Sequence, residues 1–290
     1  MQISKDLGIS TAIIEKDYYV TLFLKELVSV FPDIVFKGGT SLSKCYGIID
    51  RFSEDIDLTI KGEEKNISDR IKKQLKRDII SVIEKLHFEL TNPDDIRSRR
   101  KYNKYIIDYN SSEKESYLKK MLIVETVFFQ KAFPTERRQI KSIIYNYLIQ
   151  TNKNDIITQY SLEPFEINVQ SAERTMVDKI YALADYYMSD RITEHSRHLY
   201  DIYKLSTIIP IDEKLKNLVN LVKEERKFDS YNISAQNNVD IKRILQEIID
   251  KNIYKKDYNT ITKSLLFEKV SYETVIKSLQ DILSKGLFDS

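Results

Sequence analysis

Two aspartates separated by one apolar residue, Asp55-Ile56-Asp57, lie in a short hydrophobic stretch that runs on through Leu58 to Ile60. On an extended strand, residues i and i+2 share a face. The two carboxylates would therefore converge, with Ile56 and Leu58 packed behind them. Paired carboxylates of this kind can bridge two divalent ions roughly 3.5–4 Å apart, the arrangement that phosphoryl transfer uses. One ion would activate an attacking hydroxyl and the other would hold a polyphosphate and its leaving group. Just upstream runs Phe36-Lys37-Gly38-Gly39-Thr40-Ser41-Leu42-Ser43-Lys44. Paired glycines let a phosphate approach the backbone, and a helix start offers free N–H groups to it. A hydroxyl and the Lys44 ammonium follow, both suited to phosphate oxygens. The chain has only six glycines, and Gly38, Gly39, Gly47 and Gly62 all fall in this region. Backbone freedom is concentrated beside the carboxylates.

Neither feature is decisive alone. The chain has 44 acidic residues, and Glu113-Lys114-Glu115 shows the same spacing in what reads as a solvated loop. The signal is the ordered combination of a strand, a Gly-Gly turn, a helix start and an acidic strand. Composition narrows the chemistry further. Cys45 is the only cysteine, and the three histidines are His87, His195 and His198. That excludes an internal disulfide, a thiolate zinc cluster and a histidine-rich centre. A metal would have to be held by carboxylates, which points to Mg²⁺ or Mn²⁺. A net charge of +2 does not announce a polyanion partner, but Arg97, Arg99, Arg100 and Lys101 cluster, as do Arg137, Arg138 and Lys141. Either patch could grip phosphates; for Arg97–Lys101 a solvated loop is the equal alternative. With 42% hydrophobic and 31% charged residues, no apolar run of membrane-spanning length and no secretory h-region, the chain is expected to be cytoplasmic, with no membrane partner.

The elements that must position these residues follow from periodicity. Helices are predicted over 10–30 and 68–88, and strands at 34–36, 56–60, 102–109, 118–129 and 165–169. Thr40 or Ser41 is expected to cap a short helix, and another helix is expected over 136–149 after Pro134. From 171 the pattern is helical, over 171–188, 196–207, 212–226, 239–251 and 272–284. The fold class is α+β, with domains at 1–160 and, mainly helical, 161–290. Within Leu122-Ile123-Val124-Glu125-Thr126-Val127, Glu125 is an acid in an apolar strand, where an unpaired charge is costly. A metal would resolve that cost; so would solvent exposure or a lysine partner.

The motifs Gly-Gly-Thr-x-Leu-x-Lys (38–44) and Arg-x-Ser-x-Asp-Ile-Asp-Leu (51–58) resemble those of the AbiEii/AbiGii-type nucleotidyltransferase toxins. Glu15-Lys16-Asp17-Tyr18 is similar to their N-terminal helix, and the resemblance extends over about residues 10–207. It implies a polymerase-β-like nucleotidyltransferase core with a helical C-terminal half. It also implies a bacterial toxin–antitoxin or phage-defence role, in which NMP passes from an NTP to an RNA 3′ end, notably the tRNA acceptor end, and pyrophosphate leaves. A cognate antitoxin would be the partner. By the same resemblance, Gly38, Gly39, Thr40, Ser41 and Lys44 form the phosphate turn. Arg51 and Ser53 flank the carboxylates and belong to the same nucleotide-binding set, and Asp55 and Asp57 are catalytic metal ligands. Glu125 is the candidate third ligand. Lys179 matches a lysine that contacts nucleotide, and Asp201 matches a late acidic position important in relatives. Spacing alone would make Lys179 and Asp201 ordinary solvated helix positions.

Two other readings stand beside this one. The nucleotide could pass to a protein or a small molecule, or the chain could be a non-catalytic module that binds RNA or a partner.

Overall fold

The computed structural model describes residues 2–53, 55–62, 67–111, 120–128 and 131–289. Glu54 of the acidic motif, the Glu113-Lys114-Glu115 segment, and Leu118 and Phe129 at the ends of an expected strand lie outside them. The chain forms two compact units. The first comprises Met1–Tyr46 and Ser53–Gln170; the second comprises Gly47–Phe52 and Ser171–Ser290.

The first unit is built on a seven-stranded mixed sheet. In chain order it contains helices α1 (Gln2–Leu7) and α2 (Thr11–Val30), strand β1 (Ile34–Lys37), helix α3 (Gly38–Ser41), strand β2 (Asp55–Ile60) and helix α4 (Asp69–Lys85). Strands β3 (Glu89–Leu90), β4 (Tyr102–Asp108), β5 (Met121–Val127) and β6 (Thr135–Ile140) follow. Helices α5 (Ile143–Gln150) and α6 (Asn154–Gln159) and strand β7 (Phe165–Gln170) complete it. The sheet order is β3-β4-β5-β2-β1-β7-β6. β2 is antiparallel to β1 and parallel to β5, so the acidic strand is interior. β1 pairs β7 in parallel and β6 lies on the edge.

Ser10 and Ser68 begin α2 and α4 by accepting the N–H groups of Ile13 and Ile71, satisfying donors that have no intrahelical partner. The two helices then bury Phe23, Leu24 and Leu27, and Ile79, Val82 and Ile83, against Phe36, Ile56, Leu58, Leu122 and Val124 of the sheet. Each such side chain contributes about 1.5–3 kcal/mol by burial.

Two differences from expectation have a local cause. Thr135–Ile140 is an edge strand, not the start of a helix. Its Thr-Glu-Arg-Arg-Gln-Ile sequence carries no apolar period, and its charges suit an edge. β7 is bonded into the sheet on both sides, so the first unit ends at Gln170 rather than at 160.

The second unit is helical: α7 (Ala172–Met188), α8 (Arg197–Ser206), α9 (Glu213–Arg226), α10 (Ile241–Asp250) and a C-terminal helix (Tyr272–Ser284). α8 packs on α7 and on the C-terminal helix through Leu199, Ile202 and Leu205. A buried ionic chain joins α7 to α9. Arg174 pairs with Asp178 and Glu225, and Arg226 pairs with Asp178 and Asp185. The segment Gly47–Phe52 belongs to this unit: Phe52 N–H donates to the Leu265 carbonyl at 2.8 Å, and Phe267 N–H to the Asp50 carbonyl at 2.9 Å. No helix among the described residues is long and apolar enough to cross a membrane.

Candidate active site

The site in the first unit begins where β1 stops. Gly38 adopts φ +74°, a conformation that strains L side chains. A Cβ placed there would lie 2.0 Å from Asp57 Oδ2. Glycine is required at this position twice over, by the turn and by the carboxylate. α3 starts from Lys37 as an extended N-cap whose side chain does not cap the helix, and it passes into a π turn at Leu42–Tyr46. Such turns are rare and recur near functional sites.

The expected caps, Thr40 and Ser41, have other partners. Thr40 Oγ1 donates to the Asp55 carbonyl at 2.6 Å and lies 2.9 Å from Ser53 Oγ. With the single Thr40 proton committed, Ser53 is the donor in the second bond. Ser41 Oγ donates back to the Gly38 carbonyl at 2.8 Å. These buried hydroxyls fix the turn and the first residue of the acidic strand. Lys44 likewise turns inward. Its ammonium donates to Asp17 Oδ1 at 2.5 Å, Thr21 Oγ1 at 2.7 Å and the Asp17 carbonyl at 3.2 Å. An ammonium has three donors, and all three are matched, so Lys44 ties the π turn to α2.

Asp55 and Asp57 are half-buried, while Ile56 and Leu58 are fully buried in the core behind them. The strand thus divides its side chains as the alternation requires. Asp57 is the register partner of Glu125 on β5, and Glu125 is the register partner of Lys104 on β4. Lys104 Nζ stands 3.4 Å from Glu125 Oε1. Tyr102, two residues before Lys104, completes the group. Its hydroxyl is pushed well above its ordinary value by burial, then by the charge of Glu125 and a hydrogen bond to it, then by the charges of Asp57 and Asp55. Tyr102 therefore stays protonated, a donor beside three carboxylates. Sequence reasoning missed it; the only available signal was its strand alternation with Lys104.

Among the described residues no three acidic, histidine or cysteine side chains are drawn together tightly enough to hold a metal unaided. The donor set nonetheless fits Mg²⁺ or Mn²⁺. Two hard carboxylates share one face with a third in register, and Mg²⁺ is commonly held by one or two carboxylates plus substrate phosphates. Asp55 and Asp57 would hold such an ion, with Glu125 available on leaving Lys104.

Arg51, Lys179 and Asp201 are brought together within the second unit. Arg51 grips Asp201 with two bonds, Nε to Oδ1 at 2.6 Å and Nη2 to Oδ2 at 2.7 Å. Lys179 Nζ reaches Asp201 Oδ2 at 2.6 Å. Asp201 is fully buried, and Arg51 and Lys179 are nearly so, which corrects the solvated reading of both helix positions. Burial alone would raise the Asp201 pKa, but Arg51 and Lys179 together hold it well below the usual carboxylate range. Nearby, His195 stacks on Tyr186 with ring centroids 3.4 Å apart.

The basic clusters look outward. The Arg99 side chain is 88% exposed and 3.9 Å from Asp69. On the edge strand, Arg137 pairs with Glu166 and Arg138 with Glu136.

A mixed sheet with an interior acidic strand, entered through a Gly-Gly turn, sets two carboxylates beside a turn open to phosphates, as metal-assisted phosphoryl transfer requires. The sequence profile of the nucleotidyl transferase AbiEii toxin family, of type IV toxin–antitoxin systems, matches residues 22–285, and the chain belongs to that family. Among solved structures it is similar to MenT4, a nucleotidyltransferase toxin from Mycobacterium tuberculosis H37Rv. The identity is 16% and the TM-score 0.56, over 100% of this chain and 89% of that one, a likeness of fold. Comparison with curated protein sequences gives no match.

Proposed function

We propose that this toxin-family nucleotidyltransferase transfers a nucleoside monophosphate from an NTP to the 3′-hydroxyl of an RNA, with the tRNA acceptor end as its target, in the cytoplasm of a bacterium. Phage defence through a cognate antitoxin system is the corresponding biological role. The observation that carries this reading is the placement of Asp55 and Asp57 on one strand face, with Glu125 in register and Gly38 against Asp57. Mg²⁺ or Mn²⁺ bound there would supply charge neutralisation at the phosphates and at the attacking hydroxyl.

The protein's own contribution is positioning. Gly38 leaves room for the Asp57 carboxylate. Thr40 and Ser53 hold the Asp55 backbone. Tyr102 presents a neutral hydroxyl to the developing charge and keeps Glu125 oriented. The backbone of Gly38, Gly39 and the following turn receives the triphosphate. Lys44 acts indirectly, by fixing that turn to α2. Lys179 and Asp201 act through Arg51, holding the segment that leads into β2.

The test is incubation with Mg²⁺, each α-labelled NTP and total bacterial tRNA, beside Asp57→Asn. Label on tRNA that is absent from the variant is the expected result. Label on a protein band or a small molecule would redirect the reading to another acceptor. Full transfer by Asp57→Asn would overturn it.

A further inference from the structure

The sheet face that carries Asp55 and Asp57 holds a row of charges in register across four adjacent strands, β4-β5-β2-β1. Lys104 on β4 is opposite Glu125 on β5, Glu125 is opposite Asp57 on β2, and Asp57 is opposite Lys37 on β1. Register partners on neighbouring strands bring their Cβ atoms within roughly 4.5–5.5 Å on one face. Two acids therefore stand side by side at the centre, and a lysine closes each end. Like charges placed directly opposite one another destabilise a sheet, so Glu125 and Asp57 need cations beside them whenever no metal is bound.

Lys104 meets that need for Glu125. Its Nζ lies 3.4 Å from Glu125 Oε1, and the two side chains are 45% and 23% exposed. No other carboxylate among the described residues pairs with Lys104. Glu125 has a second partner in the Tyr102 hydroxyl, which is neutral and donates to it. An ionised carboxylate offers about four lone-pair sites, so Glu125 can keep Tyr102 and still give an oxygen to a divalent ion. It cannot keep Lys104 as readily, because an ammonium at that oxygen repels a second cation. Lys104 has a flexible stem and is almost half exposed, so it is free to swing into water; Glu125, the more buried of the two, stays.

We propose that Lys104 is the resident counter-ion of the carboxylate face: it neutralises Glu125 in the metal-free protein, competes with a divalent cation for it, and so sets how tightly that cation is held. The proposal rests on the reading of Asp55 and Asp57 as metal ligands. Lys104 is then a positioning residue, acting on the reaction through Glu125.

Mn²⁺ is titrated into the full-length, EDTA-treated protein without nucleotide, and free Mn²⁺ is read by electron paramagnetic resonance. Lys104→Ala should bind Mn²⁺ about twofold to fivefold more tightly than wild type, the equivalent of one partly exposed ion pair. Lys104→Arg keeps the charge and should bind like wild type. In a Glu125→Gln background the same Lys104→Ala change should alter the affinity by less than about twofold, because the contested carboxylate is gone. A lysine that merely supported β4 would lower the melting temperature when removed and would not tighten Mn²⁺ binding. Unchanged or weaker binding in Lys104→Ala, or equal tightening with and without Glu125, overturns the proposal. Asp57→Asn keeps the two failures apart. Wild-type binding that is lost in Asp57→Asn upholds the metal reading whatever Lys104 does; no binding by wild type, or full binding by Asp57→Asn, overturns both.

Discussion

Gly38 and Asp57 occupy almost the same space: a methyl group on the first would sit 2.0 Å from an oxygen of the second. The turn that would receive phosphates and the carboxylate that would hold a metal are one steric unit. Gly38→Ala meets two penalties, a left-handed backbone costing roughly 1–2 kcal/mol and a displaced carboxylate. The variant should fold, with a slightly lowered melting temperature. Its transfer rate should drop about a hundredfold, the scale expected for misplacing a reacting group by about 1 Å. Wild-type activity in Gly38→Ala would show that Asp57 does not need its observed position.

Lys44 separates a structural from a substrate role. If it touched the triphosphate, Lys44→Ala would raise KM for NTP at unchanged stability. With its ammonium matched to Asp17 and Thr21, the expectation is the reverse. Unfolding should become easier by about 3 kcal/mol, as for breaking a buried pair, with KM for NTP near wild type. Denaturant melts beside steady-state kinetics distinguish the two.

How much of this was legible in the sequence depends on range. The alternation of Asp55, Ile56, Asp57 and Leu58 is a period-two signal, and it placed the carboxylates on the correct face. The later helices also read closely; the expected 272–284 is the observed Tyr272–Ser284. What stayed hidden needed tertiary knowledge. Lys44 finds its partner 27 residues upstream and Arg51 finds Asp201 150 residues downstream. The resemblance puts both in the nucleotide-binding set, and local spacing cannot reveal a distant anion. The position of Glu125 beside Asp57 required knowing that β5 pairs with β2, and Tyr102 depended on the same sheet order. Thr135–Ile140 was misread because a short polar edge strand has no apolar period to betray it.

Asp201 is the anion of a buried three-residue cluster. Asp201→Asn preserves its shape but removes the buried carboxylate charge that Arg51 and Lys179 both face. That should cost about 3–5 kcal/mol, lowering the melting temperature by about 10 °C. The cluster also predicts an acid limb. An unfolded aspartate titrates near 3.9, and the folded one lies lower. Its stabilisation is complete above about pH 4 and is lost as pH falls through the folded value. Melts of wild type and Asp201→Asn should therefore converge below that pH. Curves that stay parallel would mean that the cluster contributes no linked proton.

His195 predicts a separate, earlier limb. Burial pushes its pKa down to about 4; Arg197 and Arg191 act in the same direction, and Asp257 opposes them. His198 is depressed as well, first by burial and then by Lys179. The unfolded imidazole takes up its proton near pH 6.5, whereas the folded His195 resists until about 4. Between those values the unfolded state binds more protons, so stability is complete above pH 6.5 and declines as pH falls toward 4. His195→Phe keeps an aromatic ring to stack on Tyr186 and removes the titration. Its melting temperature should fall less than that of wild type between pH 7 and pH 5, with the residual slope owed to His198. Identical slopes in the two proteins would assign the acid sensitivity elsewhere. The window lies above that of Asp201, so two variants and one pH series separate the contributions.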